Sequence, residues 1–147
     1  MIRVCVQRES FAPGALLEEL EAVGGGGVAS FTGIVRGEGD LVELMLEHHP
    51  AMTASAMREI ADRAAQRWPL LGVILVHRYG ALVPGDRIVF VGVAARHRAA
   101  ALESCAFLID WLKTRAPFWK RERFADGRTR WIEPRAEDDR AAARWEV

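Results

Sequence analysis

The residues best suited to chemistry in this sequence are its two lysines, Lys113 and Lys120, which lie seven residues apart. The chain has 18 arginines but only these 2 lysines. Both residue types serve well on solvated surfaces, but only lysine can lose its proton at usable pH and act as a nucleophile, acid or base. Retention of two lysines in an arginine-rich chain therefore favours a catalytic role, with chance retention as the alternative.

The segment around these lysines offers a way to bring their amines together. Lys113 lies at the end of a predicted helix, Pro117 ends that helix, and Lys120 follows on an extended segment. Such a bend can direct two lysines into one cleft, where neighbouring cations favour the neutral form of an amine. The alternative is that Lys113 interacts with the helix C-terminus while Lys120 points into solvent.

Two other segments carry cationic groups that suit an anionic ligand. His97 and Arg98 lie where a predicted strand meets a helix, and amides at a helix N-terminus attract anions. Arg36 ends a predicted strand in which Gly33 indicates a bulge or the close approach of another segment. A solvated corner and an edge-strand arginine are the structural alternatives for these two segments.

The elements that must position these residues are a mixture of strands and helices. Apolar alternation predicts strands over residues 2–8, 28–36, 41–49, 73–79, 87–95, 118–124 and 128–132. Helical periodicity predicts helices over residues 13–23, 53–67, 98–114 and 136–145, with Thr53 as a helix cap. No linker or repeat divides the chain, so one domain over residues 1–147 is expected.

Turn signals predict how the strands pair. Hairpins are expected between strands 28–36 and 41–49 around a polar turn, between 73–79 and 87–95 around Pro84-Gly85, and between 118–124 and 128–132 around Asp126-Gly127. Strands outnumber helices and mostly pair as hairpins. The predicted fold class is therefore α+β with a largely antiparallel sheet.

Composition excludes several classes of protein. The formal net charge is zero, which disfavours nucleic acids and anionic membranes as main partners. No apolar stretch is long enough to span a bilayer and the N-terminus lacks a signal-peptide pattern, so a cytoplasmic location is expected.

Cys5 and Cys105 match no CxxC pattern and are expected to be buried free thiols. The spacing of Glu47, His48 and His49 does not suit zinc, and neither a metal nor another cofactor is expected.

Several segments together resemble the catalytic (large) subunits of molybdopterin synthase, the MoaE family. They follow the family order across residues 28–133, and the most specific is LKTRAPFWKRE at 112–122. The other segments are FTGIVR at 31–36, LEHHPAM at 46–52, VHRYG at 76–80, PGD at 84–86, ARHR at 95–98 and RWIE at 130–133. The chain departs from the family at His49, where tyrosine is more frequent, at Ala51, where glycine is, and in the glycine run 24–27.

The resemblance implies an α/β-hammerhead fold with a small additional α+β subdomain, assembled as a homodimer. It implies a sulfurtransferase that takes sulfur from the C-terminal Gly-Gly thiocarboxylate of a small ubiquitin-like sulfur-carrier subunit, the two proteins forming a heterotetramer. The implied substrate is cyclic pyranopterin monophosphate, and two transfers give the dithiolene of molybdopterin. The family's pocket maps onto Ile34, Val35, Arg36, His97, Arg98, Lys113, Lys120, Arg121 and Glu122.

These residues suggest a division of roles. Arg36, His97 and Arg98 are expected to hold the substrate phosphate and neutralise the thiocarboxylate. Lys113 is expected to act as the acid, base or activating amine, and Lys120 to position the substrate, although the sequence does not separate these two roles. Glu122 is expected to orient a neighbouring cation. A non-catalytic adaptor for a ubiquitin-like tail and a phosphate-ligand or RNA-binding module are the rival hypotheses.

Overall fold

The computed structural model describes residues 1–132 and 135–146, and these residues form two four-stranded sheets and four helices. Glu133, the last residue of the RWIE segment, lies outside the described residues. The elements are β1 (Ile2–Gln7), α1 (Pro13–Glu21), β2 (Gly27–Ile34), β3 (Leu41–His48), α2 (Pro50–Arg67), β4 (Leu70–Arg78), β5 (Gly80–Leu82), β6 (Arg87–Ala95), α3 (Arg98–Arg115), β7 (Phe118–Phe124), β8 (Thr129–Trp131) and α4 (Ala136–Ala143).

The first sheet has the strand order β1-β4-β6-β2 and holds most of the core. β1 pairs with β4 in parallel, and the other two pairings are antiparallel. β4 and β6 are apolar runs buried on both faces, because α2 and α3 cover one face and α1 the other. Leu108 on α3 and Leu20 on α1 are both fully buried and represent these two layers.

The second sheet has the order β5-β3-β7-β8 and is antiparallel throughout. Its apolar side packs as a small cluster of Leu44, Leu46 and Leu82 with Val35, which lies just beyond the end of β2. The α+β class with mainly antiparallel pairing is therefore confirmed. The hairpin of β7 and β8 is also confirmed, and Gly127 in its turn has φ +88°, a conformation that favours glycine.

The predicted hairpin between strands 28–36 and 41–49 is wrong. β2 pairs with β6 in the first sheet, whereas β3 pairs with β5 and β7 in the second. The pairing register of β2 shifts between Gly33 and Ile34, and Val35 then exchanges backbone hydrogen bonds of 2.9 Å with the 85–86 turn. The chain leaves the first sheet at this bulge, so the polar turn connects two sheets instead of two paired strands.

Other predictions need smaller corrections. β4 and β6 pair as expected, but β5 lies between them in sequence and joins the second sheet. Thr53 does not cap α2, because the helix begins at Pro50, a residue favoured in the first helical turn, and the Thr53 hydroxyl donates to the His49 carbonyl from inside the helix. Cys105 is a buried free thiol, whereas Cys5 is only half-buried. Among the helices of residues 1–132 and 135–146, none is both long enough and apolar enough to span a membrane.

Candidate functional site

A cleft of about 540 Å³ opens where the end of β2, the end of α3 and strand β7 meet. It is lined by six of the nine residues that the sequence singled out, namely Ile34, Val35, Arg36, Lys113, Lys120 and Glu122. These residues come from both sheets and from the helix that covers the first sheet. The cleft therefore depends on how the two sheets are joined.

The bend between α3 and β7 brings the two lysines to this cleft. α3 ends at Arg115, and Ala116 has extended backbone angles of φ −82° and ψ 131°, as expected for a residue before proline. Lys113 lies in the last turn of α3, and Lys120 is the third residue of β7. The corner predicted from Pro117 is thus present, and both lysines line one cleft.

Lys120 has the more perturbed electrostatic environment of the cleft. The pKa of its amine is lowered from 10.5 to about 8, chiefly by burial, and the positive charge of Lys113 contributes to this lowering. Asp138 on α4 acts in the opposite sense, and Arg135 adds to the lowering. A substantial fraction of Lys120 is therefore neutral just above physiological pH, so its amine can both accept and donate a proton.

Strand alternation decides which residues of β7 face the cleft. Lys120 and Glu122 share one face and line the cleft, whereas Arg121 lies on the alternate face of the strand and does not line it. Its guanidinium lies 5.6 Å from the centre of the ring of Trp131, a residue that itself lines the cleft. The expected binding role of Arg121 therefore stays a prediction. Glu122 accepts a hydrogen bond of 3.0 Å from Nε of Arg130, so it does orient a neighbouring cation.

His97 and Arg98 are not brought to the cleft within one chain. They lie at the N-terminus of α3, and the separation of fifteen positions between Arg98 and Lys113 corresponds to about 22 Å along the helix. Arg98 instead lies beside Gly27 at the start of β2. Arg36 does line the cleft, where its exposed guanidinium pairs with Glu38 at 3.0 Å.

Sequence reasoning missed several residues that line the cleft. The most consequential are Arg135, the residue just before the C-terminal helix α4, and Asp138 within that helix. No local pattern marks them, because their position depends on tertiary contacts such as the hydrogen bond from Trp111 Nε1 to the Ala142 carbonyl. Arg130 lay within a segment of the resemblance and could have been chosen from it. In the part of the chain that the structure describes, no group of three or more His, Cys, Asp or Glu side chains is arranged to hold a metal.

Comparison with known proteins identifies relatives of this chain. The family model described as MoaE protein matches residues 6–115. A Pseudomonas aeruginosa protein named molybdopterin synthase catalytic subunit is 51% identical over 146 residues, which is 96% of this chain and 97% of that protein. An Escherichia coli protein of the same name is 54% identical over 123 residues, covering 82% of this chain and 81% of its own. The solved structure of a molybdopterin biosynthesis MoaE protein from Burkholderia ambifaria matches with a TM-score of 0.86 and 44% identity, covering 100% of this chain and 99% of that one.

Proposed function

This chain belongs to the MoaE family and is an enzyme of molybdopterin biosynthesis, and we propose that it acts there as a sulfurtransferase, the catalytic subunit of molybdopterin synthase. In the proposed reaction, the C-terminal Gly-Gly thiocarboxylate of a small ubiquitin-like carrier subunit supplies sulfur to cyclic pyranopterin monophosphate. Each transfer replaces a carbon–oxygen bond of the substrate by a carbon–sulfur bond, and the displaced oxygen leaves as water or stays on the phosphate when its ring opens. Water then hydrolyses the acyl–sulfur bond, and the carrier tail leaves as a carboxylate. Two transfers give the dithiolene.

The charge of the cleft supports this choice of substrates. Among the described residues that line it, five are cationic, namely Arg36, Lys113, Lys120, Arg130 and Arg135, and three are acidic, namely Glu38, Glu122 and Asp138. The chain as a whole has a formal net charge of zero, so this local excess of positive charge is a property of the cleft. A phosphate and a thiocarboxylate are both anions, and a cationic cleft stabilises both.

The single observation that carries the proposal is the pair of lysines in one cleft, and their environments support different roles. Half-buried Lys120 has a pKa of about 8, which suits proton exchange with the reacting oxygen atoms. Lys113 is exposed at the end of α3, where its charge attracts the carrier's thiocarboxylate. We therefore assign proton transfer to Lys120 and anion binding to Lys113, which reverses the roles suggested by the sequence.

A second copy of the chain can supply the two missing anion-binding residues. β2 is the outer strand of the first sheet, and Phe31 and Ile34 on it are 40% and 55% exposed. If two β2 strands pair antiparallel about a two-fold axis, the Gly27 end of one lies beside the Ile34 end of the other. His97 and Arg98 of one copy then approach the cleft of the other. We propose that the homodimer completes the anion site and that each cleft receives one carrier tail, giving a heterotetramer.

The test is formation of molybdopterin from the pterin phosphate and thiocarboxylated carrier. Lys120→Arg keeps the positive charge but removes a usable proton equilibrium, so turnover should fall by about 100-fold or more while the carrier still binds. Arg123→Lys is a matched control, because Arg123 is exposed on the same strand and pairs with Glu43 outside the cleft. Near-normal turnover in Lys120→Arg contradicts the acid-base role. Carrier binding with no product in the unaltered protein indicates a non-catalytic adaptor instead.

A further inference from the structure

We infer that His77, a residue outside the cleft, is a positioning residue that sets the separation of Lys113 and Lys120 by joining the two sheets beneath them. This inference rests on the proposed function, since the separation matters only if the lysines act together. His77 lies on β4 in the first sheet and is 7% exposed. Its imidazole stacks on the ring of Phe118 with centroids 3.6 Å apart and an interplanar angle of 18°.

Phe118, the stacking partner of His77, lies on the same strand as Lys120, the residue that carries the reactive amine. Phe118 is the first residue of β7, lines the cleft, and lies two positions before Lys120 on the same face of the strand. A displacement of the Phe118 ring therefore moves the start of β7 and Lys120 with it. Since the bend at Pro117 is immediately before Phe118, the stack also fixes where the chain enters the second sheet.

The two lysines are attached to different layers of the molecule. Lys113 follows Leu112, whose buried side chain packs α3 against the first sheet. Lys120 belongs to β7 and pairs with Leu46 of β3 in the second sheet. His77 belongs to the first sheet and Phe118 to the second. Their stack is therefore a direct contact between the layers that carry the two amines.

A hydrogen bond to the backbone holds the His77 ring in one orientation. Its Nδ1 lies 2.8 Å from the Arg78 carbonyl oxygen, which can only accept, so Nδ1 carries the proton and donates. The pKa of His77 is lowered to about 3, chiefly by burial. The hydrogen bond to the Arg78 carbonyl opposes this lowering, and the charges of Lys120, Lys113 and His48 add to it. The ring is therefore neutral and presents an apolar face to Phe118 at any pH at which the enzyme works.

His48 supports the same arrangement from the second sheet. It pairs with Phe118 across β3 and β7, and its ring centre lies 6.0 Å from that of Phe118. The Thr53 hydroxyl donates to the His49 carbonyl, so it accepts from Nδ1 of His48 at 3.0 Å. Phe118 thus stacks on the His77 imidazole and lies near that of His48, and each imidazole makes a hydrogen bond that fixes its orientation.

The main readout of the experiment is the protonation of Lys120, which is measured independently of turnover. The rate at which a small neutral acylating reagent modifies Lys120 is followed against pH by peptide mass spectrometry, because only the neutral amine reacts. In His77→Leu, loss of the stack should let the amines separate, so the midpoint for Lys120 should rise by about half a pH unit or more. Turnover should fall about tenfold. His77→Phe, which keeps a flat ring, should restore both.

Phe90→Leu is the matched control, because Phe90 is a fully buried ring in the same sheet but faces α1 on the other side. It should lower thermal stability while leaving the Lys120 midpoint unchanged. A Lys120 midpoint in His77→Leu equal to that of the unaltered protein, or an equal shift in Phe90→Leu, overturns the inference. If the midpoints shift as expected but the unaltered protein makes no product with the carrier, the proposed function fails and the positioning role of His77 stands.

Discussion

At the scale of single residues, the environment of Lys120 disfavours a positive charge. Its amine is half-buried, faces the charge of Lys113, and has a pKa lowered to about 8. An arginine would keep its proton in the same position, and the chain uses arginine for 18 of its 20 basic residues. A lysine that destabilises the folded state is consistent with the proposed role of Lys120, which needs an amine that can lose its proton.

Lys120→Met should therefore raise stability while abolishing product formation. The pKa of Lys120 is lower in the folded protein than the ordinary 10.5, so the unfolded chain binds this proton more tightly. Wild-type stability then falls as pH falls from about 10.5 to about 8 and changes little below that range. At pH 7 the variant should be more stable by on the order of 1 kcal/mol, and the gain should shrink towards pH 10. Urea unfolding at both pH values measures this, and lower stability of the variant at pH 7 contradicts it.

At the scale of elements, the sequence predicted what local signals determine. The bend after α3 follows from Pro117, and the β7–β8 hairpin follows from Asp126-Gly127, because both depend on the backbone preferences of adjacent residues. The partners of β2 and β3 could not be predicted in this way. The turn at 37–40 has the composition of a hairpin turn, but β6 and β7 offer more extensive pairing to the strands on either side of it.

The cleft residues that the sequence predicted are likewise those marked by local signals, and the ones it missed are placed by tertiary contacts. Lys113, Lys120 and Glu122 lie within one specific segment, so composition and resemblance both marked them. Asp138 reaches the cleft only because α4 is packed back onto α3, and no periodicity in the tail encodes that contact. His97 and Arg98 were marked by the resemblance, but within one chain they lie at the opposite end of α3 from the cleft.

The C-terminal segment should lose its position in Trp145→Ala. Trp145 Nε1 donates to Asp110 of α3 at 2.8 Å, and its ring meets those of Trp68 and Phe107 edge-on. Loss of these contacts should lower the free energy of unfolding by about 2 kcal/mol and free α4, which carries Asp138. Hydrogen–deuterium exchange in residues 136–146 should increase. Trp119→Ala is the control, since that side chain is 51% exposed on β7, and unchanged exchange in Trp145→Ala contradicts the account.

At the scale of the whole molecule, a neutral chain has a locally cationic cleft, and the proposed homodimer forms along the β2 edge of its first sheet. α3 runs alongside β2, with Arg98 near the start of the strand and Lys113 near its end. A two-fold axis across β2 therefore exchanges the two ends of α3 between the copies. In the proposed homodimer, Arg98 of one copy therefore lies near Lys113 of the other, although the two residues are far apart within one chain.

Mixed dimers test this arrangement by complementation. When Lys113→Ala and Arg98→Ala chains are combined, a mixed dimer has one doubly altered cleft and one intact cleft if Arg98 acts across the interface. Random exchange of subunits should restore about one quarter of wild-type molybdopterin formation from two inactive proteins. If Arg98 acts on the cleft of its own chain, every cleft carries one defect and no activity returns. Ser30→Pro on β2, which removes a backbone donor from the outer strand, should abolish the recovery.

The central claim is that two amines share one cleft and that Lys120 titrates far below an ordinary lysine, and NMR of the protein labelled with ¹³C-lysine tests it directly. The chain has 2 lysines, so the spectrum contains two side-chain signals, and Lys113→Gln leaves only that of Lys120. The structure predicts a Lys120 midpoint of about 8 in the unaltered protein and a higher midpoint in Lys113→Gln, because the neighbouring charge is removed. Titration of Lys120 near 10.5 in both proteins would contradict the account.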